Sequence, residues 1–487
     1  MTELREKCGI FGIFGEGLDV SRLAFYGLFA LQHRGQESSG IAVANGAKVR
    51  CFKNSGLVTH AYSEEDVKKL TGFAAIGHNR YSTSQGTGLR HAQPFVLSVP
   101  AANPSKLDTK NWEGDLALAH NGNLPSTLAL EEFLSAHGVD PKNQSDSRLM
   151  TMAVAYYMEQ GQDLATAVQS AYPLFTGAFS LVLLTKDALV AVRDQYGIRP
   201  LAIGKLNGGH VFASETCAFN TIGAKFEREV QPGEMVVVTK GGMRSIQLAP
   251  PIPRLDIFEF VYFARPDSEL LGRSVYEVRR ECGRRLAKEN KISADMVVPV
   301  PETAVPVATG YAEQSGIPFE MALIKNRYIH RTFIQPDQHS RDLGVRLKLT
   351  PLPGVLRGKR VVLIDDSIVR GTTSRQLVKA IFEAGASEVH FVVSSPPVKF
   401  PDFYGIDTPK QETLIAAKKT NEEIREYLGA TSLHYLSLDG LLESIGVPPE
   451  ELNTSCFTGE YPIDLGERAL EVRAPLVPPE RPAARLF

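Results

Sequence analysis

The chain has 487 residues, 43% of them hydrophobic and 22% charged, with a formal net charge of −2 at pH 7. Two or three domains with cores of their own fit this length, and the charge balance gives no sign of a nucleic-acid or membrane-surface partner. No apolar run is long enough to span a membrane, and Met1–Lys7 lacks the apolar core of a secretory signal. Five scattered cysteines are too few for a disulfide framework, so we expect a cytoplasmic protein.

The first predicted element is a strand in Cys8–Phe14 (CGIFGIF), where apolar residues alternate from Ile10 onward. A single cysteine in such a place is more often a packed thiol than a nucleophile. Three later motifs favour the nucleophile: Gln32–Gly40 (QHRGQESSG), His78–Thr83 (HNRYST) and Ala119–Leu124 (AHNGNL). In this order, and together with the first segment, they resemble the glutaminase domain of N-terminal-nucleophile amidotransferases.

In that family the chain is trimmed so that the cysteine becomes the first residue, and its own α-amino group activates the thiol. An α-amine with a pKa of about 8 is well matched to a thiol with a pKa of about 8.5. The resemblance therefore implies that Cys8 is the nucleophile and that Met1–Lys7 is a propeptide.

The resemblance also assigns the remaining groups of the glutamine site. Amide hydrolysis passes through a tetrahedral oxyanion, which needs preorganised donors, and these are the side chain of Asn121 and the backbone N–H of Gly122. The substrate is a zwitterion, so it needs one cation and one anion. Arg80 takes the α-carboxylate with a bidentate fork, and Asp146 takes the α-ammonium. Taken alone, either residue would more often form a surface ion pair.

Further along, the pattern predicts a helix over Leu149–Glu159 and strands over Ala178–Leu184, Leu189–Val192 and Val211–Ser214. Arg193–Leu201 (RDQYGIRPL) is another stretch found in the family, and we expect a structural role for it at a domain boundary. The resemblance implies a four-layer αββα sandwich of the N-terminal-nucleophile hydrolase type over residues 8–250. The proline-rich segment Leu248–Leu255 is the predicted linker.

The most informative stretch of the second half is Val361–Ser374 (VVLIDDSIVRGTTS). Its four apolar residues predict a buried parallel strand, which ends in Asp365 and Asp366 and is followed by a hydroxyl-rich loop and a helix from about Ser374 to Glu383. Backbone N–H groups at a helix N-terminus bind anions, and paired carboxylates suit sugar hydroxyls or Mg²⁺. These preferences together describe a phosphorylated ribose. The alternative is a strand–helix junction whose acidic pair merely caps the helix.

This stretch resembles the signature with which phosphoribosyltransferases bind phosphoribosyl pyrophosphate (PRPP). The resemblance implies a parallel-sheet phosphoribosyltransferase domain over residues 251–472, followed by a proline-rich tail over residues 473–487. It also implies one Mg²⁺ per subunit, held by Asp365, Asp366 and Thr303, which follows a predicted strand at Asp295–Pro301. The expected PRPP contacts in the signature are Asp365, Asp366, Ser367, Arg370, Gly371, Thr372, Thr373 and Ser374.

A basic segment, Lys325–Lys348, carries six basic and two acidic residues and few signals of regular structure. Most charged runs are only solvated faces. Here we predict a mobile lid that closes over the pyrophosphate and excludes water. By resemblance its contacts with PRPP are Lys325, Tyr328 and Lys348, although His330 stands where the family usually has glycine.

Both halves together, in this order, resemble the amidophosphoribosyltransferase family. One branch of that family binds an iron–sulfur cluster through four cysteines. Here Cys217 and Cys456 occupy two of the ligand positions, while Asp402 and Asn453 occupy the others. Because such clusters are held by thiolates, we expect no cluster.

The resemblance implies that ammonia from glutamine passes internally to PRPP and gives 5-phosphoribosylamine, glutamate and pyrophosphate, the first committed step of purine synthesis. It further implies feedback by purine nucleotides and a homotetramer or homodimer, with no nucleic-acid or membrane partner. One alternative is an amidotransferase acting on another acceptor, such as a sugar phosphate, which would not need the signature at Val361–Ser374. Another is a non-catalytic nucleotide sensor or RNA-binding regulator, against which the glutamine-site residues and the near-neutral charge argue.

Overall fold

The computed structural model describes residues 8–81, 88–99, 111–326, 349–406 and 410–473. In its N-terminal half, two antiparallel sheets lie face to face. Alternate residues of their strands are apolar, and the inward-facing ones, such as Ile76 of one sheet and Val182 of the other, are fully buried between the sheets. The strands are β1 (Gly9–Phe14), β2 (Ser38–Ala44), β3 (Val49–Ser55), β4 (Ala74–Arg80), β5 (Phe95–Leu97), β6 (Asn111–Gly114), β7 (Leu116–Asn123), β8 (Ala178–Thr185), β9 (Ala188–Arg193), β10 (Ala202–Leu206), β11 (Gly209–Ala213), β12 (Lys225–Glu229), β13 (Glu234–Thr239) and β14 (Gly242–Gln247).

The order of strands is β12-β10-β11-β1-β4-β2-β3-β6 in one sheet and β14-β13-β9-β8-β7-β5 in the other. Helices cover both outer faces. On the first sheet, Leu28 of a helix packs against Phe11, and on the second sheet Met150 packs among Leu118 and Leu183. This arrangement confirms the αββα sandwich. The helices are α1 (Val20–Ala30), α2 (Val58–Ala61), α3 (Glu64–Lys69), α4 (Leu128–Ala136), α5 (Asp146–Glu159), α6 (Leu164–Ala171) and α7 (Cys217–Ile222).

The C-terminal half is built on a parallel sheet of four strands in the order β18-β21-β22-β23. The strands of this half are β15 (Leu255–Asp256), β16 (Glu269–Leu270), β17 (Arg273–Ser274), β18 (Met296–Pro299), β19 (Leu323–Lys325), β20 (Leu349–Pro351), β21 (Arg360–Asp365), β22 (Glu388–Val393), β23 (Ser432–Tyr435) and β24 (Leu452–Asn453). Its helices are α8 (Val275–Glu289), α9 (Val305–Ser315), α10 (Pro353–Leu356), α11 (Thr372–Glu383), α12 (Asn421–Leu428), α13 (Leu438–Ile445) and α14 (Ser455–Thr458), with a π-helical turn at Glu259–Phe263.

Helices lie on both faces of the parallel sheet, which explains why the strand β21 is continuously apolar. Val362 and Ile364 pack with α8 and α9 on one face, while Val361 and Leu363 pack with α11 and α12 on the other. The predicted parallel-sheet fold is therefore confirmed, and α11 begins at Thr372, two residues before the expected start.

One part of the predicted lid is regular structure. Lys325 is the last residue of β19, which pairs with β20, because Leu323 in this strand is buried in the core. Residues 327–348, including Tyr328 and Lys348, lie outside the described residues, as do Met1–Lys7 and residues 474–487. Within the described ranges, no helix is long and apolar enough to cross a membrane.

Candidate active sites

Cys8 lies immediately before β1, at the edge of a pocket between the two sheets of the sandwich. Burial raises the pKa of its thiol. A backbone hydrogen bond from Tyr81 and the positive charge of Arg80 act in the opposite direction, while the carboxylates of Asp146 and Glu37 add to the increase. The thiol therefore needs a base before it can serve as a nucleophile.

The two expected oxyanion donors lie on β7 and line the same pocket. The side-chain amide of Asn121 is 3.5 Å from the hydroxyl oxygen of Ser214, which accepts the backbone N–H of Ile10 at 3.0 Å. Gly122 has a φ of 149°, and a Cβ there would lie 2.0 Å from the carbonyl oxygen of Ala178. Only glycine fits at this position of β7.

The two expected ligands for the ends of glutamine also line this pocket. Arg80 is the last residue of β4 and is nearly buried, with one guanidinium nitrogen 3.5 Å from a carboxylate oxygen of Glu37. Asp146 is the first residue of α5, where its carboxylate accepts the backbone N–H groups of Ser147 at 2.7 Å and Leu124 at 3.2 Å. The fold thus brings together all five residues predicted for the glutamine site.

Sequence reasoning missed a buried hydrogen-bonded group behind these residues. The ring of His120 is 2.9 Å from the hydroxyl of Ser147, and its backbone N–H donates to the side chain of Gln93 at 2.7 Å. Burial lowers the pKa of His120, so the ring is neutral. His120 is part of the AHNGNL motif and could have been selected, whereas no local pattern distinguishes Gln93.

The second candidate site is the junction between β21 and α11. Asp365 accepts the backbone N–H of Asp366 at 2.9 Å, and Asp366 accepts the hydroxyl of Ser367 at 2.8 Å. Burial raises the pKa of both carboxyls, and that of Asp366 is raised further by the charge of Asp365. Gly371 precedes α11 in a left-handed conformation, with a φ of 77°.

This pair of buried carboxylates fits a cation, because a divalent ion would relieve the electrostatic cost of two adjacent charges. Among the described residues there is no cluster of three or more histidine, cysteine or acidic side chains that could hold a metal by itself. That donor set suits Mg²⁺, which is usually bound by one or two carboxylates together with substrate phosphates.

The other predicted PRPP ligands differ in their exposure to solvent. Ser374 is buried, Thr373 is half-buried, and Arg370 and Thr372 are exposed. Thr303 lies half-buried in the turn after β18, next to Glu302, whose carboxylate is 3.9 Å from the ammonium of Lys325.

A buried ionic network joins the two halves of the chain. The carboxylate of Glu259 accepts hydrogen bonds from Arg34, at 2.5 Å, and from Arg199. Arg199 also pairs with Asp256 at 3.0 Å, and Arg34 pairs with Glu215. All five side chains are almost completely buried. The placement of Arg199 agrees with the structural role expected for RDQYGIRPL.

Asp402, Asn453 and Cys217, at positions compared with cluster ligands, have protein partners. Asp402 accepts the backbone N–H groups of Tyr404 and Ile406, both at 2.9 Å, and Asn453 accepts that of Ser455 at 3.1 Å. The sulfur of Cys217 is 3.6 Å from Glu215. Burial raises the pKa of Cys217 and of Cys456.

Comparison with known proteins agrees with both sites. A glutamine amidotransferase domain family matches residues 107–221, and a phosphoribosyl transferase domain family matches residues 275–396. The amidophosphoribosyltransferase of Synechococcus elongatus is 47% identical over 467 residues, covering 95% of this chain and 92% of that protein. The amidophosphoribosyltransferase of Bacillus subtilis is 42% identical over 468 residues, covering 95% of both chains.

This chain belongs to the amidophosphoribosyltransferase family. It is a glutamine-dependent pentosyltransferase of purine biosynthesis, with glutamine and PRPP as substrates. Enzymes of its phosphoribosyltransferase class are generally Mg²⁺-dependent, in agreement with the carboxylate pair at the end of β21.

Solved structures of the amidophosphoribosyltransferase family superimpose over nearly the whole chain. The B. subtilis glutamine PRPP amidotransferase, complexed with ADP and GMP, has a TM-score of 0.85 at 41% identity and covers 94% of this chain and 98% of that one. A structure described as the allosteric regulatory enzyme of purine biosynthesis has a TM-score of 0.87 at 40% identity, with 96% and 98% covered.

Proposed function

We propose that Cys8 attacks the side-chain amide of glutamine, while Arg80 and Asp146 bind the two ends of the substrate. The side chain of Asn121 and the backbone N–H of Gly122 stabilise the oxyanion. The observation that supports this most strongly is the convergence of these five residues, from distant parts of the chain, on one pocket. Removal of the propeptide Met1–Lys7 would free the α-amine of Cys8, which then serves as the base that the buried thiol needs.

At the second site, we propose that PRPP binds along Asp365–Ser374, with Lys325, Tyr328 and Lys348 contacting it from the basic segment. One Mg²⁺ per subunit would be held by Asp365, Asp366 and Thr303 together with oxygens of PRPP. Ammonia passes internally from the glutamine site to the anomeric carbon of PRPP and displaces pyrophosphate. It needs no further base, so this half acts by positioning and by stabilising the departing pyrophosphate.

The organisation that follows is a glutaminase domain over residues 8–250, a phosphoribosyltransferase domain over residues 251–472 and a tail over residues 473–487. We propose no iron–sulfur cluster, because Asp402 and Asn453 replace two of the thiolates that a cluster needs and use their side chains in local turns. Feedback by purine nucleotides is proposed by analogy with the relative complexed with ADP and GMP. A homotetramer or homodimer and a cytoplasmic location complete the proposal, and the five free cysteines suit a reducing compartment.

The deciding experiment is a parallel assay of glutamate and pyrophosphate release. The protein should release glutamate from glutamine strongly only when PRPP and Mg²⁺ are present, with one pyrophosphate for each glutamate. Cys8→Ala should abolish the reaction with glutamine and retain the reaction of PRPP with ammonia. Glutamine-dependent activity that survives Cys8→Ala would refute the nucleophile, and loss of both activities would show that the variant is damaged as a whole.

A further inference from the structure

The pocket that contains Cys8 is not built by the N-terminal half alone. A turn of the C-terminal half, Asp402–Ile406, reaches it, and Gly405 is one of the residues that line it. The side-chain amide of Asn123 donates to the carbonyl oxygen of Phe403 at 2.8 Å. A Cβ on Gly405 would lie 3.0 Å from the carbonyl carbon of Gly122, 3.1 Å from its Cα and 3.3 Å from its oxygen. Backbone therefore packs on backbone next to the oxyanion donor.

The turn has a defined shape because its own side chains fix it. Asp402 accepts the N–H groups of Tyr404 and Ile406, both at 2.9 Å. The hydroxyl of Tyr404 donates to the carbonyl of Ile463 at 2.7 Å and accepts its N–H at 3.1 Å. Such satisfied, buried hydrogen bonds make a rigid support.

The same turn is anchored on the N-terminal half. Phe403 and Tyr404 belong to a small buried cluster that also contains Ala178 and Ile198. Ala178 is the partner of Asn123 in the pairing of β7 with β8, and its carbonyl oxygen is the atom that a Cβ on Gly122 would strike. Gly122 is thus confined between β8 on one side and Gly405 on the other.

Position 405 requires glycine for two reasons. Its φ is +111°, which side chains rarely permit, and the space toward Gly122 is too small for a Cβ without displacement. Any side chain at this position would press on the Cα and carbonyl group of Gly122, the residue whose N–H is needed for the oxyanion.

We propose that the turn Asp402–Ile406 positions the oxyanion donor Gly122 of the glutaminase site, with Gly405 packing on Gly122 itself and Phe403 holding the next residue, Asn123. This inference rests on the proposed function, in which Gly122 is an oxyanion donor. An oxyanion hole works through preorganised donors. The rate of glutamine hydrolysis should therefore depend on how the C-terminal half packs against the N-terminal half. The groups proposed to bind the ends of glutamine are held by the N-terminal half: Arg80 lies 3.5 Å from Glu37, and Asp146 accepts the backbone N–H groups of Leu124 and Ser147.

The test is Gly405→Ala in the full chain, assayed with glutamine and with ammonia. We expect the kcat with glutamine to fall by about 10–100-fold, the size of effect that a misplaced catalytic group produces. The KM for glutamine and the reaction with ammonia should be unchanged. The matched control is Gly429→Ala at the end of α12, where φ is +71° and no atom lies within 4 Å of the added Cβ. This control also places a side chain at a positive φ but without the contact, and should behave as the wild type.

A second pair of variants guards against a folding defect. Asp402→Asn keeps the oxygen that accepts the two N–H groups and should retain the kcat with glutamine, whereas Asp402→Ala removes it and should lower that kcat. Equal effects of Gly405→Ala and Gly429→Ala, or loss of the ammonia reaction in Gly405→Ala alone, would overturn the inference. If Cys8 proves dispensable for glutamine hydrolysis, the proposed function itself fails. If Cys8 is essential and Gly405→Ala is normal, only the inference fails.

Discussion

The proposed glutamine site and the proposed PRPP site are constructed in opposite ways. The glutamine site draws its groups from the start of β1, the ends of β4 and β7 and the first residue of α5. Most of the PRPP site is one continuous segment, from Asp365 at the end of β21 to Ser374 in α11. A site assembled from distant segments depends on the whole fold for its geometry, whereas a site on one segment depends on a single strand–loop–helix unit.

The two sites also differ in charge. In the glutamine pocket, the predicted cation and anion are both present, and the His120 behind them is neutral. The PRPP site has two adjacent buried carboxylates whose pKa values are raised. The first site is therefore largely preformed, while the second gains its full electrostatic balance only with a cation and substrate.

The largest effect is expected at the buried ionic network that joins the two halves of the chain. Glu259→Gln removes the carboxylate shared by Arg34 and Arg199 in the buried interface, and breaking a buried ion pair on one side typically costs about 3–5 kcal/mol. We expect a clear decrease in the urea midpoint, together with weaker stimulation of glutamine hydrolysis by PRPP. The control is Glu113→Gln, which breaks an exposed pair with Arg50. If both variants unfold at the wild-type midpoint, the network does not hold the halves together.

The next largest effect is expected from a variant that impairs the glutamine site and leaves the PRPP site intact. Asn121→Ala removes one oxyanion donor, and such a loss lowers kcat by about 10²–10³-fold in known cases. We expect that decrease with glutamine as nitrogen donor and none with ammonia, because the PRPP site is untouched. Steady-state assays with both donors measure the ratio. A similar decrease with ammonia would mean that the two sites are not as independent as their construction indicates.

The difference in construction also explains what could be predicted from the sequence. The segment Val361–Ser374 displays its strand, acidic pair and helix in one stretch, so both its structure and its ligand class can be inferred from residues and spacing. The glutamine site needed four separate motifs and a family resemblance, because no local signal says that Cys8 and Asp146 meet.

Apart from the boundary role expected for RDQYGIRPL, the contacts between the halves could not be predicted from the sequence. Glu259 lies in an ordinary apolar stretch, and Gly405 looks like any turn glycine, because what makes each important is a partner more than 200 residues away. In the sequence, Asp402 is distinguished only by standing at the position of a cysteine ligand. The structure shows instead the turn that its carboxylate supports.

A variant at the PRPP site should produce the complementary pattern. Asp366→Asn removes a charge expected to bind Mg²⁺ or a ribose hydroxyl, and losing a hydrogen bond to a charged group costs about 1.5–3 kcal/mol, or roughly 10–150-fold in rate. Both the glutamine and the ammonia reactions should fall together. The unfolding midpoint should not decrease, since burial already disfavours the ionised form of this carboxyl. An effect on the glutamine reaction alone would contradict the assignment.

The smallest effect is expected from the pH dependence of Asp402, the residue that links the turn to the interface. Burial and the neighbouring Asp256 raise its pKa to about 7, with Arg199 and two backbone N–H groups opposing them. The folded protein therefore retains a proton that the unfolded chain releases above its usual pKa of 3.8, so the stability that depends on this group falls as the pH rises toward 7.

Asp402→Asn cannot ionise and keeps the acceptor oxygen, so its urea midpoint should exceed that of the wild type at pH 8.5, and by less at pH 5.5. Asp140→Asn is the matched control, because Asp140 also accepts a backbone N–H two residues along, at 3.1 Å, but is exposed. An increase in the urea midpoint that is the same at both pH values would show that the ionisation of Asp402 does not cause the increase. A larger increase in the urea midpoint at pH 8.5 than at pH 5.5 would mean that Asp402 holds the turn as a hydrogen-bond acceptor and not as a charge.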